Sequence, residues 1–296
     1  MKQNCRGVAA GIEFPLRRPN AASPSRRAAR PHRLPVRLGI LAAALVLWQG
    51  VNAKAQDNYE IQVYGSELVA PGNTMVELHS NYTFSGSTTV TDGMLPTNDQ
   101  LHETVEITHG FSDFFETGFY IFTAQTPGYG YQWVGDHIRP RFSIPESWHW
   151  PVGLSISNEI GYARPLFAHN TWTWEIRPII DKQMGRLYWS VNPVFDKSFQ
   201  GPEANKGYIF GPAGTVTYDV TKLVNVGVEY YSSLGDVLGF DPFIDQSHQI
   251  FAVLNLNFSP QWEFNIGPGW GLTNIGDHRD HFILKMIIGR RFDFHW

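Results

Sequence analysis

Cysteine is almost missing from this chain. The only one, Cys5, precedes an apolar run, LGILAAALVLW (38–48), and none follows it. That excludes a disulfide scaffold, a thiolate metal site and an acylated cysteine after the run. Charge is also sparse, at 17% of residues against a usual value of about 25%. Long hydrophobic runs are lacking after residue 56. None approaches the roughly 18 apolar residues of a spanning helix, and the mean hydropathy is −0.23, which excludes a helical membrane protein. Nucleotide motifs are absent too: there is no G-x-G-x-x-G and no P-loop. Ser155 and Ser157 lie in GLSISNE, which is not the G-x-S-x-G elbow of a serine hydrolase.

What the N-terminus does hold is an export pattern. Arg26, Arg27, Arg30, Arg33 and Arg37 precede the apolar run, and Ala53-Lys54-Ala55 follows it. Basic, apolar and small-residue segments in that order predict a signal peptide over 1–55, cleaved near Ala55. Its basic part is unusually long, so the true start either lies further in or belongs to an extended leader. Ten of the 23 Lys and Arg residues and one of the 27 acids precede residue 56. The remainder therefore holds 13 basic against 26 acidic residues, a formal charge of −13. Such a surface excludes nucleic acid as a partner.

Glycine (28 residues) and aromatics (14%) are abundant, and from residue 73 they fall into a repeating pattern. Twelve segments alternate with period 2, the signature of strands: 73–84, 99–110, 114–124, 131–142, 151–162, 170–180, 185–196, 206–218, 222–232, 247–257, 261–271 and 281–294. The connectors alternate as well. GFSD, IPESWHW, DKQM, DVTK and FSPQ are short; SGSTTVTDGMLPTND, the TPGYG region, ARPLFAH, KSFQGPEANKG, SLGDVLGFDPFIDQ and LTNIGDHRD are read as longer loops. Short turns on one rim and long loops on the other are the mark of an outer-membrane barrel. The reading is all-β: a transmembrane antiparallel up-and-down β-barrel of about twelve strands over 73–296. Residues 56–72 are a periplasmic lead-in, an extra strand, or a segment entering the lumen.

The two faces of each segment separate this reading from a soluble sandwich. Val224, Val226, Val228 and Tyr230 oppose Asn225, Gly227, Glu229 and Tyr231; Trp262, Phe264, Ile266, Pro268 and Trp270 oppose Glu263, Asn265, Gly267 and Gly269. Bulky aromatics gather at segment ends, as two interfacial girdles would. The polar faces carry Glu77, Glu106, Glu116, Glu159, Glu175, Glu229 and Glu263, with Arg139, Arg141, Arg177, Lys285 and Arg291. In a closed barrel these twelve converge as lumen or pore-lining residues, with Glu106, Glu116, Arg139 and Arg141 facing one another. They line an open, cation-favouring pore or form a salt-bridge core; twelve strands fall between barrels of about eight, which fill, and sixteen or more, which conduct. The prolines inside segments (Pro140, Pro178, Pro193, Pro212, Pro268) oppose the strand reading, because each removes a ladder donor. Bulges or strand ends must absorb them.

The chain ends FILKMIIGRRFDFHW. Its apolar face runs Phe282, Leu284, Met286, Ile288, then Phe292, Phe294 and Trp296, interrupted by Arg290, which either snorkels to the interface or is turned inward by a bulge. An alternating last strand with a terminal aromatic resembles the assembly signal of outer-membrane barrels, which implies the barrel assembly machinery as a partner and Phe292, Phe294 and Trp296 as its target. The stretches YEIQVYGSELVAPGNTMVELHSNYTF and ETVEITHGFSDFFETGFYIFT resemble the phenol-degradation (meta-pathway) outer-membrane family over most of 57–296. That resemblance implies a porin-like barrel in the outer membrane of a Gram-negative-type bacterium, and a small, hydrophobic or aromatic solute.

The other site candidates are weak. Asp277, His278, Asp280 and His281 in GDHRDH offer metal donors but lack a second pair at zinc-site spacing, and read as a solvated loop. His79 and His102 face inward with no evident Ser or Asp partner. The expectation is a channel or transporter in outer-membrane lipid, no enzyme, with no metal and no cofactor. The rival readings are a non-conducting barrel acting through its outer loops and a membrane-embedded lipid hydrolase.

Overall fold

The computed structural model describes residues 58–273 and 280–293. The expected leader, Asp277, His278, Phe294 and Trp296 lie outside the described residues. Twelve strands follow one another: β1 (Asn73–Ser85), β2 (Gln100–Ser112), β3 (Phe115–Thr126), β4 (Gly130–Ser143), β5 (Gly153–Ala163), β6 (Trp172–Met184), β7 (Leu187–Asn192 and Phe195–Gln200), β8 (Ile209–Phe210 and Ala213–Asp219), β9 (Val224–Ser233 and Gly235–Asp236), β10 (Ser247–Leu256), β11 (Trp262–Gly271) and β12 (Phe282–Asp293). Each pairs antiparallel with its neighbours in sequence. The last returns to the first, from Asn73 opposite Asp293 to Ser85 opposite Phe282. The sheet is thus a closed twelve-strand barrel. Closure is what hydrocarbon demands, because an open edge would leave N–H and C=O groups without partners.

Burial inverts the ordinary rule that apolar side chains go inside. Glu106, His79, Thr104, Asn192 and Lys285 are fully buried, while Phe119, Ile138, Ile156, Ile160, Val216 and Val228 are exposed. Such a continuous apolar exterior has no place in water and fits lipid. Its ends carry aromatics: Tyr82, Phe84, Trp270 and Phe282 beside the long loops, and Phe111, Phe115 and Phe142 beside the short turns. Arg290 points outward, its guanidinium over the rings of Trp262 and Phe292 at 5.3 and 4.9 Å; it snorkels, and no bulge turns it inward.

The prolines are absorbed in two ways. Pro193 and Pro212 split β7 and β8, and Pro178 of β6 lies opposite the first of these breaks, so three prolines share one level of the wall. Pro268 sits where the β10–β11 register skips from Phe251↔Gly269 to Leu254↔Ile266, and Pro140 where β4–β5 skips from Ile138↔Ile160 to Arg141↔Ser157. Two connectors depart from expectation. IPESWHW is no tight turn: nine residues, with a 3-10 turn over Glu146–Trp148, separate β4 from β5. The TPGYG region is no long loop: β3 and β4 run on until three residues join them, with Gly128 at φ 79° and Gly130 at φ 78°, the left-handed values that glycine adopts at no steric cost.

Residues 58–71 form no strand, so this stretch is not an extra strand of the barrel. It is not a periplasmic lead-in either, since Tyr59, Ile61 and Tyr64 are buried among inward-facing side chains.

Candidate functional site

An extended peptide inside a barrel has no ladder to satisfy its backbone, yet buried N–H and C=O groups must be paired. Here the wall side chains do it. Asn81 Nδ2 donates to Asn58 O (2.8 Å) and Thr104 Oγ1 to Tyr59 O (2.7 Å). Lys285 Nζ donates to Ile61 O (3.0 Å). Asn192 accepts from Tyr64 N (2.8 Å) and donates to Tyr64 O (3.0 Å), which Ser190 Oγ also reaches (2.6 Å). Further along, Ser143 Oγ holds Ser66 O (2.7 Å), Arg141 Nη2 holds Glu67 O (2.8 Å), and Val69 N donates to Glu116 Oε2 (2.7 Å). Gly72 N then meets Gly110 O (2.8 Å) beside the short β2–β3 turn. The segment therefore runs from the long-loop end to the short-turn end, opposite in direction to β1.

Its side chains pack on two walls. Ile61 joins Ala213, Tyr231, Phe251, Val253 and Ile283; Tyr59 joins Tyr120, Phe122, Ala124 and Val134, with the His102 ring edge-on to it at 4.8 Å. Tyr64 is the hub. Its ring lies under three guanidinium groups, Arg139 at 4.5 Å, Arg177 at 5.0 Å and Arg141 at 5.7 Å. Its hydroxyl bonds to Glu60 and lies 3.2 Å from the Tyr120 hydroxyl. A desolvated cation over an aromatic face is worth about 2 kcal/mol.

The twelve charged residues expected in the lumen all lie on inward faces. Glu77, Glu106, Glu116, Arg139, Arg141, Glu159, Arg177, Glu229 and Lys285 are buried; Glu175, Glu263 and Arg291 are partly exposed. Glu106, Glu116, Arg139 and Arg141 do face one another: Arg139 is 2.7 Å from Glu106 and 3.7 Å from Glu116, and Arg141 is 3.5 Å from Glu116. Arg177 grips Glu175 with two bonds, 2.6 and 2.8 Å. Lys285 pairs with Glu229, and Arg291 with Glu263 at 3.3 Å. Glu159 takes His137 at 2.5 Å. Glu77 is the exception; among the described residues it has no cationic partner.

Sequence reasoning missed the plug residues Tyr59, Glu60, Ile61 and Tyr64 and the uncharged wall groups Asn81, Thr104, Ser190 and Asn192. Alternation over 57–66 was the available signal, and it does not distinguish an edge strand from a peptide held by side chains. In GDHRDH, Asp280 is not solvated: it is buried, bonded to Asn58 and Thr97. Beside the plug remains a cavity of about 120 Å³, lined by Tyr59, Glu60, Phe122, His137, Glu159 and Arg177 among others.

No protein-family model and no curated protein sequence matches the chain. Solved structures do. The outer membrane channel from Pseudomonas putida F1 aligns over 79% of this chain and 100% of its own, with a TM-score of 0.55 at 11% identity. The NanC porin aligns over 74% of this chain and 100% of its own, with a TM-score of 0.52 at 10% identity. The fold is that of an outer-membrane β-barrel. The barrel's apolar belt, closed sheet and girdles place it in such a membrane on physical grounds, independently of that likeness.

Proposed function

We propose that this barrel is an outer-membrane channel for small molecules, closed by residues 58–72 and conducting when that segment leaves the interior. The observation that carries the reading is how the segment is held. Its backbone is fixed by side-chain hydrogen bonds and ion-dipole contacts, which can break one at a time, and by no ladder, which would have to be unzipped from the wall. A ring of twelve strands is wider than the eight that side chains alone fill, so the space the peptide occupies becomes a passage once it is gone. The two similar structures are described as an outer membrane channel and a porin, which is the function this reading assigns. For the solute, hydrophobic or aromatic molecules are favoured by the resemblance to the phenol-degradation family and by the wall residue Phe122 in the cavity lining.

The test is to fasten the segment in place. Asn58 and Asp280 are in side-chain contact, and Cys5 is the only native cysteine. A double variant, Asn58→Cys with Asp280→Cys, is joined by a short bis-methanethiosulfonate linker and recorded in planar bilayers before and after dithiothreitol. Conductance should be absent while linked and appear on reduction. Equal conductance in both states, or none in either, rejects the gating segment; none in either favours the non-conducting barrel.

A further inference from the structure

Every expected luminal acid but one has a cation beside it, and that exception stands in an unusual place. Glu77 of β1 lies directly opposite Glu106 of β2. Like charges opposite one another across a ladder destabilise it. On its other side Glu77 faces Gly289 of β12, and beyond that glycine stands Glu263 of β11. A side chain at 289 would collide with Met75, Glu77 and Glu263, so the glycine lets the acids draw together along one level of the wall.

A fourth group points into this row. His79, two residues on from Glu77, projects from the same face of β1 and is wholly buried. His79 Nε2 is at ion-pair distance from Glu106 Oε2, while His79 Nδ1 and Glu77 Oε1 have no hydrogen-bond partner among the described residues. Burying an imidazole nitrogen and a carboxylate oxygen unsatisfied is costly. Donor atoms from Glu77, His79 and Glu106 all lie within 4.8 Å of one another, and His79 Nε2 is 3.4 Å from Glu106 Oε2. That is the edge of a tetrahedron with bonds of about 2.1 Å, the usual Zn–N and Zn–O length. Arg139 occupies the other oxygen, Glu106 Oε1, and leaves Oε2 to the His79 side.

We propose that Glu77, His79 and Glu106 form a divalent metal site on the inner wall, reached from the short-turn mouth past Glu263. One imidazole nitrogen with carboxylate oxygens suits Zn²⁺ and its first-row neighbours over Ca²⁺ or Mg²⁺, which take oxygen alone. Glu263 and its partner Arg291 have side chains 33% and 40% exposed, which gives an ion a way in. The dication offsets the carboxylate charge that Arg139 does not, and engages one His79 nitrogen together with Glu77 and Glu106 oxygens. The site does not depend on whether the barrel conducts.

The experiment is Zn²⁺ titration by calorimetry on the full, untagged barrel after treatment with a chelator. One ion per chain is expected. Glu77→Gln, which changes no ion pair, should weaken binding at least tenfold, and His79→Ala should do the same. His278→Ala with His281→Ala, which removes the histidines of GDHRDH, should leave it unchanged. Millimolar Ca²⁺ should fail to displace Zn²⁺ from the unsubstituted protein, a readout that needs no variant to fold. Absence of binding to the unsubstituted barrel, retention of full affinity in Glu77→Gln, loss of binding in the loop variant alone, or displacement by Ca²⁺ would each overturn the assignment.

Discussion

Truncating Tyr64 to alanine should open the barrel without unfolding it. The ring is 6% exposed, and three guanidinium groups and two hydroxyl contacts depend on it. Removing a buried aromatic costs about 3–5 kcal/mol. Tyr64 belongs to no strand, so the loss falls on the docking of residues 58–72 and not on the twelve-strand ladder. If that segment exchanges between docked and released states, the released fraction should rise by roughly a hundred-fold to a few thousand-fold, at about 1.4 kcal/mol per factor of ten. Tyr64→Phe keeps the ring under the guanidiniums and, since Glu60 lies in the same segment, loses only one hydroxyl bond to the wall, that with Tyr120, about 0.5–1.5 kcal/mol, so its effect on docking should be about tenfold or less. Single-channel open probability measures both. Thiol labelling of an Ile61→Cys reporter follows release directly, because Ile61 is fully buried when docked. Tyr64→Ala protein that folds, stays shut and leaves the reporter thiol protected would refute the argument, since the largest single anchor would then have no bearing on docking.

Other consequences follow from the same contacts. Arg139→Met should cost about 3–5 kcal/mol in denaturant unfolding because it strands buried Glu106, whereas Arg139→Met with Glu106→Gln should recover most of that loss; a double variant as unstable as the sum of the singles contradicts it. Burial raises the Asp280 carboxyl above its usual range, against the bonds from Thr97 and Asn58. A raised folded value means the protonated form favours the docked state. Stability should therefore be greater below the unfolded value and decline as pH rises through the folded one; Asp280→Asn should abolish this dependence, as read from urea midpoints across pH. Trp296→Ala should lower the folded yield in the outer membrane while leaving refolding in detergent unchanged, if the terminal aromatic is the assembly signal that its resemblance implies; equal yields in cells refute it.

The fold was legible because a barrel writes its two environments into alternate residues. Val224 to Tyr231 name lipid and lumen in turn, and the structure keeps that order. The twelve luminal charges were legible for the same reason, because a charge on a strand that faces hydrocarbon is too costly to recur. Residues 58–72 were legible only as one of three alternatives, a segment entering the lumen. YEIQVYGS alternates as a strand would, yet its partners are Thr104, Ser190, Asn192 and Arg141, polar side chains drawn from β2, β7 and β4. Period 2 records extension, and extension is common to a strand in a sheet and a peptide in a tube. The length of the β3–β4 loop was misjudged because glycine and proline mark a turn without saying how many residues it takes.

The three prolines at one level carry the same logic into the wall. Pro178, Pro193 and Pro212 each forgo an N–H, and where scattered they would leave several separate carbonyls unpaired. Gathered on β6, β7 and β8 they share one interruption, bridged by Gly211 N to Val194 O at 2.9 Å. There the chain turns Val194 inward, and Val194, Ile209 and Gly211 line the cavity beside the plug. A break in the ladder is tolerable in hydrocarbon only where the freed groups reach the interior. The wall is therefore interrupted on the side that borders the cavity, and stays continuous from β1 to β3, where the acids of the inner wall and the arginines from β4 hold the segment's last residues.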